Sequence, residues 1–192
     1  MDHGERRLYR LGDVGIQAGR YSLGPEHGTL SVRTRRTGAA AKAGHNLHFH
    51  VTAWEAVLEL SAEPAASRAE LSADGGSLRV IEGTGGVTSL SDGDKRGIEK
   101  TVDDEILRRQ QVVFRSTSVE ANGDGLRLQG ELTLMGVAVP HTIDLTMNGD
   151  GALRAETVVK QTDHGLKPYS TLFGTLKVVD EVAIELEARL PG

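Results

Sequence analysis

The chain has no cysteine, and only three phenylalanines, three tyrosines and one tryptophan among 192 residues. Without cysteine there is no disulfide framework and no thiol nucleophile, and the redox compartment is left open. With so few aromatics, the interior must be built from Val, Leu, Ile and Ala. Such an interior suits a tightly filled core, and it equally suits a flexible hydrocarbon ligand. No stretch approaches the roughly 20 apolar residues of a membrane span. No apolar leader of signal-peptide length follows Met1-Asp2-His3-Gly4-Glu5-Arg6-Arg7, so a cytoplasmic location is expected. A phosphate-gripping basic block is also missing. Lys and Arg number 22 against 27 Asp and Glu, a net charge of −5, with both signs spread along the chain. Nucleic acid is therefore not an expected partner, and Arg33, Arg35 and Arg36 read as a solvated strand end.

Catalytic signatures are scarce as well. Neither Gly-x-Ser-x-Gly nor Gly-x4-Gly-Lys-Ser/Thr occurs, and Gly83-Thr84-Gly85-Gly86 lacks the lysine that a phosphate loop requires. Asp103, Asp104 and Glu105 point around a helix and cannot converge. Asp92-Gly93-Asp94 lacks the carboxylate spacing of a calcium loop. No cofactor or metal is implied.

What the chain does contain is alternation. Leu47, Phe49 and Val51 interleave with His48, His50 and Thr52. Leu126, Leu128, Leu132 and Leu134 interleave with charged and polar residues. Ile143, Leu145 and Met147 do the same, and Val182, Ile184, Leu186, Ala188 and Leu190 form the clearest period-two run. Such alternation gives each strand one buried and one wet face. Asn122-Gly123-Asp124-Gly125 and Asn148-Gly149-Asp150-Gly151 supply the positive-φ residues of hairpin turns. About eight strands joined this way give an all-β antiparallel sandwich or closed barrel. Residues 1–17 read as a polar N-terminal arm, and 18–192 as one domain. One segment departs from the pattern. Ile98, Val102 and Ile106 recur at i, i+4 and i+8, which predicts a single amphipathic helix over about 94–107, capped by Asp92 or Asp94.

Histidine is the residue type with chemical potential. In a strand, His48 and His50 project from the same face, roughly 6–7 Å apart. They could hold one metal if His141 or His164 supplied a third ligand, or act as acid and base. The plainer reading places them on the wet face opposite Leu47, Phe49 and Val51. Tyr169 and Phe173, after Pro168, are expected either to line a pocket mouth or to plug the end of the barrel.

Several stretches in order resemble one family: Gly19-Arg20-Tyr21-Ser22-Leu23-Gly24-Pro25, Lys42-Ala43-Gly44-His45-Asn46-Leu47, Val112-Val113-Phe114-Arg115-Ser116, Gly130-Glu131-Leu132-Thr133-Leu134-Met135-Gly136-Val137, Gly165-Leu166-Lys167-Pro168-Tyr169-Ser170, and Gly174-Thr175-Leu176-Lys177-Val178-Val179-Asp180-Glu181-Val182. The chain is similar over roughly residues 19–190 to the YceI-like family of polyisoprenoid-binding, lipocalin-like barrels. The resemblance implies an eight-stranded antiparallel barrel with a helix across one side, and an apolar tunnel for a long isoprenoid or other lipid. His45 fits the family pattern, whereas His48, His50 and His164 depart from it. On this reading Leu47, Phe49, Val51, Phe114, Leu132 and Leu134 line the tunnel. His45, Lys160 and Tyr169 meet a head group at its mouth, with Phe173 beside them. The competing expectation is a barrel repurposed as a cyclase- or isomerase-like enzyme using His48 and His50. Similar barrels pair, so a homodimer is an admissible state.

Overall fold

The computed structural model describes residues 16–191. Fourteen strands and one α-helix follow in chain order. The strands are β1 (Gly19–Leu23), β2 (Gly28–Thr34), β3 (Arg36–Thr37), β4 (Asn46–Val51), β5 (Trp54–Leu60), β6 (Arg68–Asp74) and β7 (Leu78–Thr84). After the helix α1 (Asp92–Thr101) come β8 (Gln111–Asn122), β9 (Gly125–Leu134), β10 (Val137–Met147), β11 (Ala152–Lys160), β12 (Ser170–Thr171), β13 (Leu176–Val178) and β14 (Glu181–Arg189). Eleven of them form one curled antiparallel sheet in the order β1-β5-β6-β8-β9-β10-β11-β14-β2-β4-β7, and β12-β13-β3 forms a small second sheet. Of the expected N-terminal arm, residues 1–15 lie outside the described residues, and Ile16 is buried in the core.

The main sheet therefore holds eleven strands, not the expected eight, because several runs of chain are bent. β4 and β5 are separated only by Thr52 and Ala53, and β6 and β7 only by Gly75–Ser77. The ladder continues across both bends. Thr52 N–H donates to the Ser77 carbonyl at 3.0 Å, and Asp74 N–H donates to the Ala53 carbonyl at 2.9 Å. The Asp74 side chain accepts from Gly76 N–H, and the Ser77 hydroxyl accepts from Ala53 N–H, so each bend satisfies its own backbone groups. Gly75 is required there, because a Cβ would meet the Gln110 carbonyl at 2.5 Å. β1 and β2 are likewise parted by a short turn, in which His27 N–H donates to the Gly24 carbonyl. β14 pairs with β2 from Ala183↔Arg33 to Ala188↔Gly28, which joins the C-terminal strand to the N-terminal part of the sheet.

The helix departs from the expected 94–107. It spans Asp92–Thr101 and passes into a single wider π turn over Val102–Ile106. Its N-cap is Ser91, not Asp92 or Asp94. The Ser91 hydroxyl accepts from Asp94 N–H, and the Asp94 carboxylate accepts from Ser91 N–H at 2.9 Å. This is a reciprocal capping box. The helix packs along β7, which ends the sheet order, and binds that strand's free backbone groups. Val80 N–H donates to Glu99 Oε1 at 2.8 Å, and Lys95 Nζ donates to the Ile81 carbonyl at 3.0 Å. An unpaired strand edge invites pairing with another chain, and here the helix side chains occupy it. Glu99→Ala should therefore lower unfolding free energy in urea by about 1.5–3 kcal/mol, the range for a hydrogen bond to a charged group. Glu99→Gln should lose less.

Candidate functional site

The inward side chains of the sheet enclose a cavity of about 850 Å³. Its walls follow from the period-two rule. β4 contributes Leu47, Phe49 and Val51. β9 contributes Leu128, Leu132 and Leu134, β11 contributes Leu153, Ala155, Thr157 and Val159, and β14 contributes Val182, Ile184 and Leu186. The helix turns Gly93, Gly97 and Thr101 toward this space, together with Ile98 and Val102. The small residues recur every fourth position, so one helix face stays low over the cavity.

Five polar members of the lining, Thr34, His45, His141, Thr157 and Gln161, lie toward one end. This is the end where β2, β7, β9 and β11 finish and β4, β8, β10 and β14 begin, and we call it the mouth. Thr34 closes β2 there, and His45 precedes β4. Thr157 and Gln161 belong to the end of β11 and the turn after it. His45 Nε2 lies 2.7 Å from the Thr88 carbonyl and donates to it. His141 Nε2 and Thr157 Oγ1 are 2.8 Å apart across β10 and β11. Gln161 Nε2 donates to the carbonyls of Val179 and Asp180. Behind His141, His164 is buried and donates from Nδ1 to the Val137 carbonyl at 3.0 Å. The opposite end of the cavity is aliphatic, with Leu23, Ala56, Leu58, Leu145 and Leu153.

Burial, and secondarily the nearby His164, hold the His141 imidazole below its ordinary pKa. A group of this kind resists the proton that the unfolded chain accepts. Its contribution to stability is thus complete above about pH 6.5, and it is lost as pH falls from there toward the lowered folded value. The urea midpoint should drop between about pH 7.5 and pH 5.5, and His141→Gln should shrink that drop. His48 shifts in the same direction, through burial first and then the Arg33 charge, so a smaller acid sensitivity should persist in the variant.

Eight of the expected ligand-facing residues line the cavity: His45, Leu47, Phe49, Val51, Phe114, Leu132, Leu134 and Tyr169. Two do not. Lys160 follows the inward Val159, so strand alternation turns it outward, and it is exposed. Phe173 is fully exposed at 109%. Leu172 and Phe173 both occupy the left-handed region, at φ 51° and 54°. Each such non-glycine residue costs about 1–3 kcal/mol, and the turn they form carries the ring away from the cavity. Phe173 therefore neither lines the mouth nor plugs it. His48 and His50 do not line the cavity either. They sit on the outer face with ring centres 5.1 Å apart and edge-to-face, and His48 is paired in register with Arg33 and Glu82. An acid–base or metal reaction inside the cavity cannot use them from there. Among the described residues, no group of three or more His, Asp or Glu is placed to hold a metal ion. The polar trio His141, Thr157 and Gln161 was not foreseen as a ligand end. Its signal was present, because extending the inward series Met147, Leu145 and Ile143 back by two places reaches His141.

The profile of the YceI-like domain matches residues 21–190 of this chain. The chain belongs to the YceI-like family. No curated protein matches it. Among solved structures, this YceI-like chain is similar to BcnA of Burkholderia cenocepacia, with 17% identity over 83% of this chain and 94% of that one, and a TM-score of 0.61. It is also similar to a mutant YceI protein of Campylobacter jejuni with a monobromobimane guest, with 15% identity, coverage of 72% and 82%, and a TM-score of 0.50. A polyisoprenoid-binding domain from Saccharophagus degradans aligns at 11% identity over 90% and 99%, with a TM-score of 0.46. At these identities the likeness concerns the fold alone. No helix of the described residues is long and apolar enough to cross a membrane.

Proposed function

We propose that this YceI-like protein binds a long-chain amphiphile, isoprenoid or other lipid, with its tail in the aliphatic end of the cavity and its head among His45, His141, Thr157 and Gln161. The observation that carries this reading is the character of the lining: about 850 Å³ of mostly aliphatic space, with His45, His141, Thr157 and Gln161 together at the mouth. That volume lies within the roughly 300–1,000 Å³ of ligand pockets. If each non-hydrogen atom takes about the 30 Å³ share of a liquid water, there is room for on the order of two to three dozen of them. If each bent run is counted as one wall, with β1 joined to β2, β4 to β5 and β6 to β7, eight walls surround this space. In our reading they close as a lipocalin-like barrel.

Burying one methylene is worth about 0.8 kcal/mol, and part of that is offset by ordering the chain. Titration with linear alcohols or prenols of increasing length should thus show affinity rising by at most about fourfold per methylene, and then levelling off once the cavity is full. Native mass spectrometry of the purified protein should show a bound mass that organic solvent extracts. A flat length series together with an unliganded mass would rule the reading out.

A further inference from the structure

Among the described residues, the large hydrophobic side chains left exposed are not scattered. Five of them, Val87, Val137, Tyr169, Leu172 and Phe173, lie in the turns and segments at the mouth or at the first residue of β10 beside them. The other two, Ile81 and Val158, lie on strands within three residues of that end. Among the described residues, none lies on the turns of the opposite end, which are Ser61–Ser67, Asn122–Gly125 and Asn148–Gly151. Single exposed apolar residues are ordinary, whereas a set confined to one end marks a contact surface. Leu172 is half exposed and Phe173 wholly so. Their left-handed backbone is tied by Thr175, whose N–H and hydroxyl both donate to the Leu172 carbonyl. The turn thus presents the two side chains outward as a fixed tip.

Exposed lysines lie on the segments that carry that tip and on the loop bonded to it. The Lys177 side chain passes 3.8 Å from where a Cβ would stand on Gly174, the residue after Phe173. Lys167 lies in the same segment. Lys42 lies in the loop whose Ala40 N–H donates to the Thr175 carbonyl. All three lysines are exposed. None takes part in the ion pairs found among the described residues. An apolar tip with lysines on its own segment and on the neighbouring loop complements an interface whose core is hydrocarbon and whose surface is anionic.

We infer that the mouth end docks on a lipid bilayer, with Leu172 and Phe173 entering the headgroup–acyl boundary and Lys42, Lys167 and Lys177 facing anionic headgroups. Transfer of ligand between bilayer and cavity is the use this contact would serve, and that use rests on the lipid binding proposed above. The contact itself requires no cavity ligand.

The test is co-sedimentation of the full chain with vesicles of phosphatidylcholine mixed with phosphatidylserine. The wild type should partition to the vesicles and be partly released by salt. Leu172→Ser combined with Phe173→Ser should lower the partition coefficient at least about tenfold, and Lys167→Glu with Lys177→Glu should lower it on anionic vesicles far more than on pure phosphatidylcholine. Because position 173 is exposed, Phe173→Trp supplies a reporter without disturbing the core. Its emission should shift to the blue on adding vesicles and become shielded from aqueous quenchers. Ala155→Trp, which fills the cavity, should still bind vesicles. Vesicle binding without ligand retention would overturn ligand binding and leave docking standing, and ligand retention without vesicle binding would do the reverse. A wild type that stays in the supernatant, or a doubly serine-substituted chain that partitions equally well, overturns docking. So does a wild-type dimer in sedimentation velocity that Phe173→Ser dissolves while vesicles recruit nothing, which would assign the tip to a second copy of the chain.

Discussion

Ala155→Trp should empty the cavity of its ligand while leaving the protein folded. Ala155 lies on β11 between the inward residues Leu153 and Thr157, and its cross-strand partners are Leu145 and Leu186. All of these line the cavity. Enlarging a side chain in a filled core typically costs about 1–3 kcal/mol, because neighbours must leave their rotamers. Here the indole would enter open space instead and take the volume that a hydrocarbon chain needs. Lipid extracted per mole of protein should fall at least tenfold on the basis of lost apolar burial alone, at about 0.8 kcal/mol per excluded methylene. The urea midpoint should stay within the range of surface variants. Val158→Trp is the matched control, since it places the same ring three residues further along the strand on the exposed face. Equal ligand recovery from the two variants would show that the amphiphile does not occupy this space.

Phe49→Ala should be the most destabilising single truncation in the main sheet. Phe49 is 2% exposed and pairs in register with Val32 on one side and Val80 on the other. Truncating a buried phenylalanine to alanine costs about 3–5 kcal/mol. For a domain of this size, that corresponds to a fall in Tm of about 6–20 °C. Ligand binding links to this loss. A saturating hydrocarbon should recover part of it in the variant, since anything that binds only the folded state stabilises it by mass action. A Tm within a degree or two of the wild type would mean that Phe49 is not an element of the packed wall.

The sequence carried most of the curled antiparallel sheet, because a strand with one wet and one dry face must alternate, and β9, β10 and β14 do so over most of their length. The turns at Asn122–Gly125 and Asn148–Gly151 were equally readable, because positive φ selects glycine and asparagine. The bends were not. Thr52 and Ala53 interrupt a strand only because Ser77, 24 or more positions away, supplies hydrogen bonds to them, and no local pattern encodes that. The helix was found from its spacing but its limits were misjudged, since Ser91 competes successfully with the aspartates as cap and a π turn absorbs the last residues.

At the site, alternation gave the inward faces of β4 and β9, and the family resemblance implied that those faces line a ligand space. Lys160 was misplaced for a reason that the same rule exposes, because Val159 lies inward and the next residue must point out. Phe173 could not be placed by any pattern of apolar residues. What turns it outward is a pair of left-handed dihedrals at Leu172 and Phe173, residue types that rarely adopt them.

The pairing of β14 with β2 has a consequence for how this protein is made. It joins residues 28–33 to residues 183–188, some 150 or more positions apart, and contacts of such sequence separation form slowly. On the ribosome, β2 emerges long before its partner exists. Until β14 is translated, the apolar faces of β2 and β11 that flank it remain uncovered. A nascent chain stalled shortly before Glu181 would present an open sheet to its surroundings, so the arrival of β14 is the step that covers those two faces.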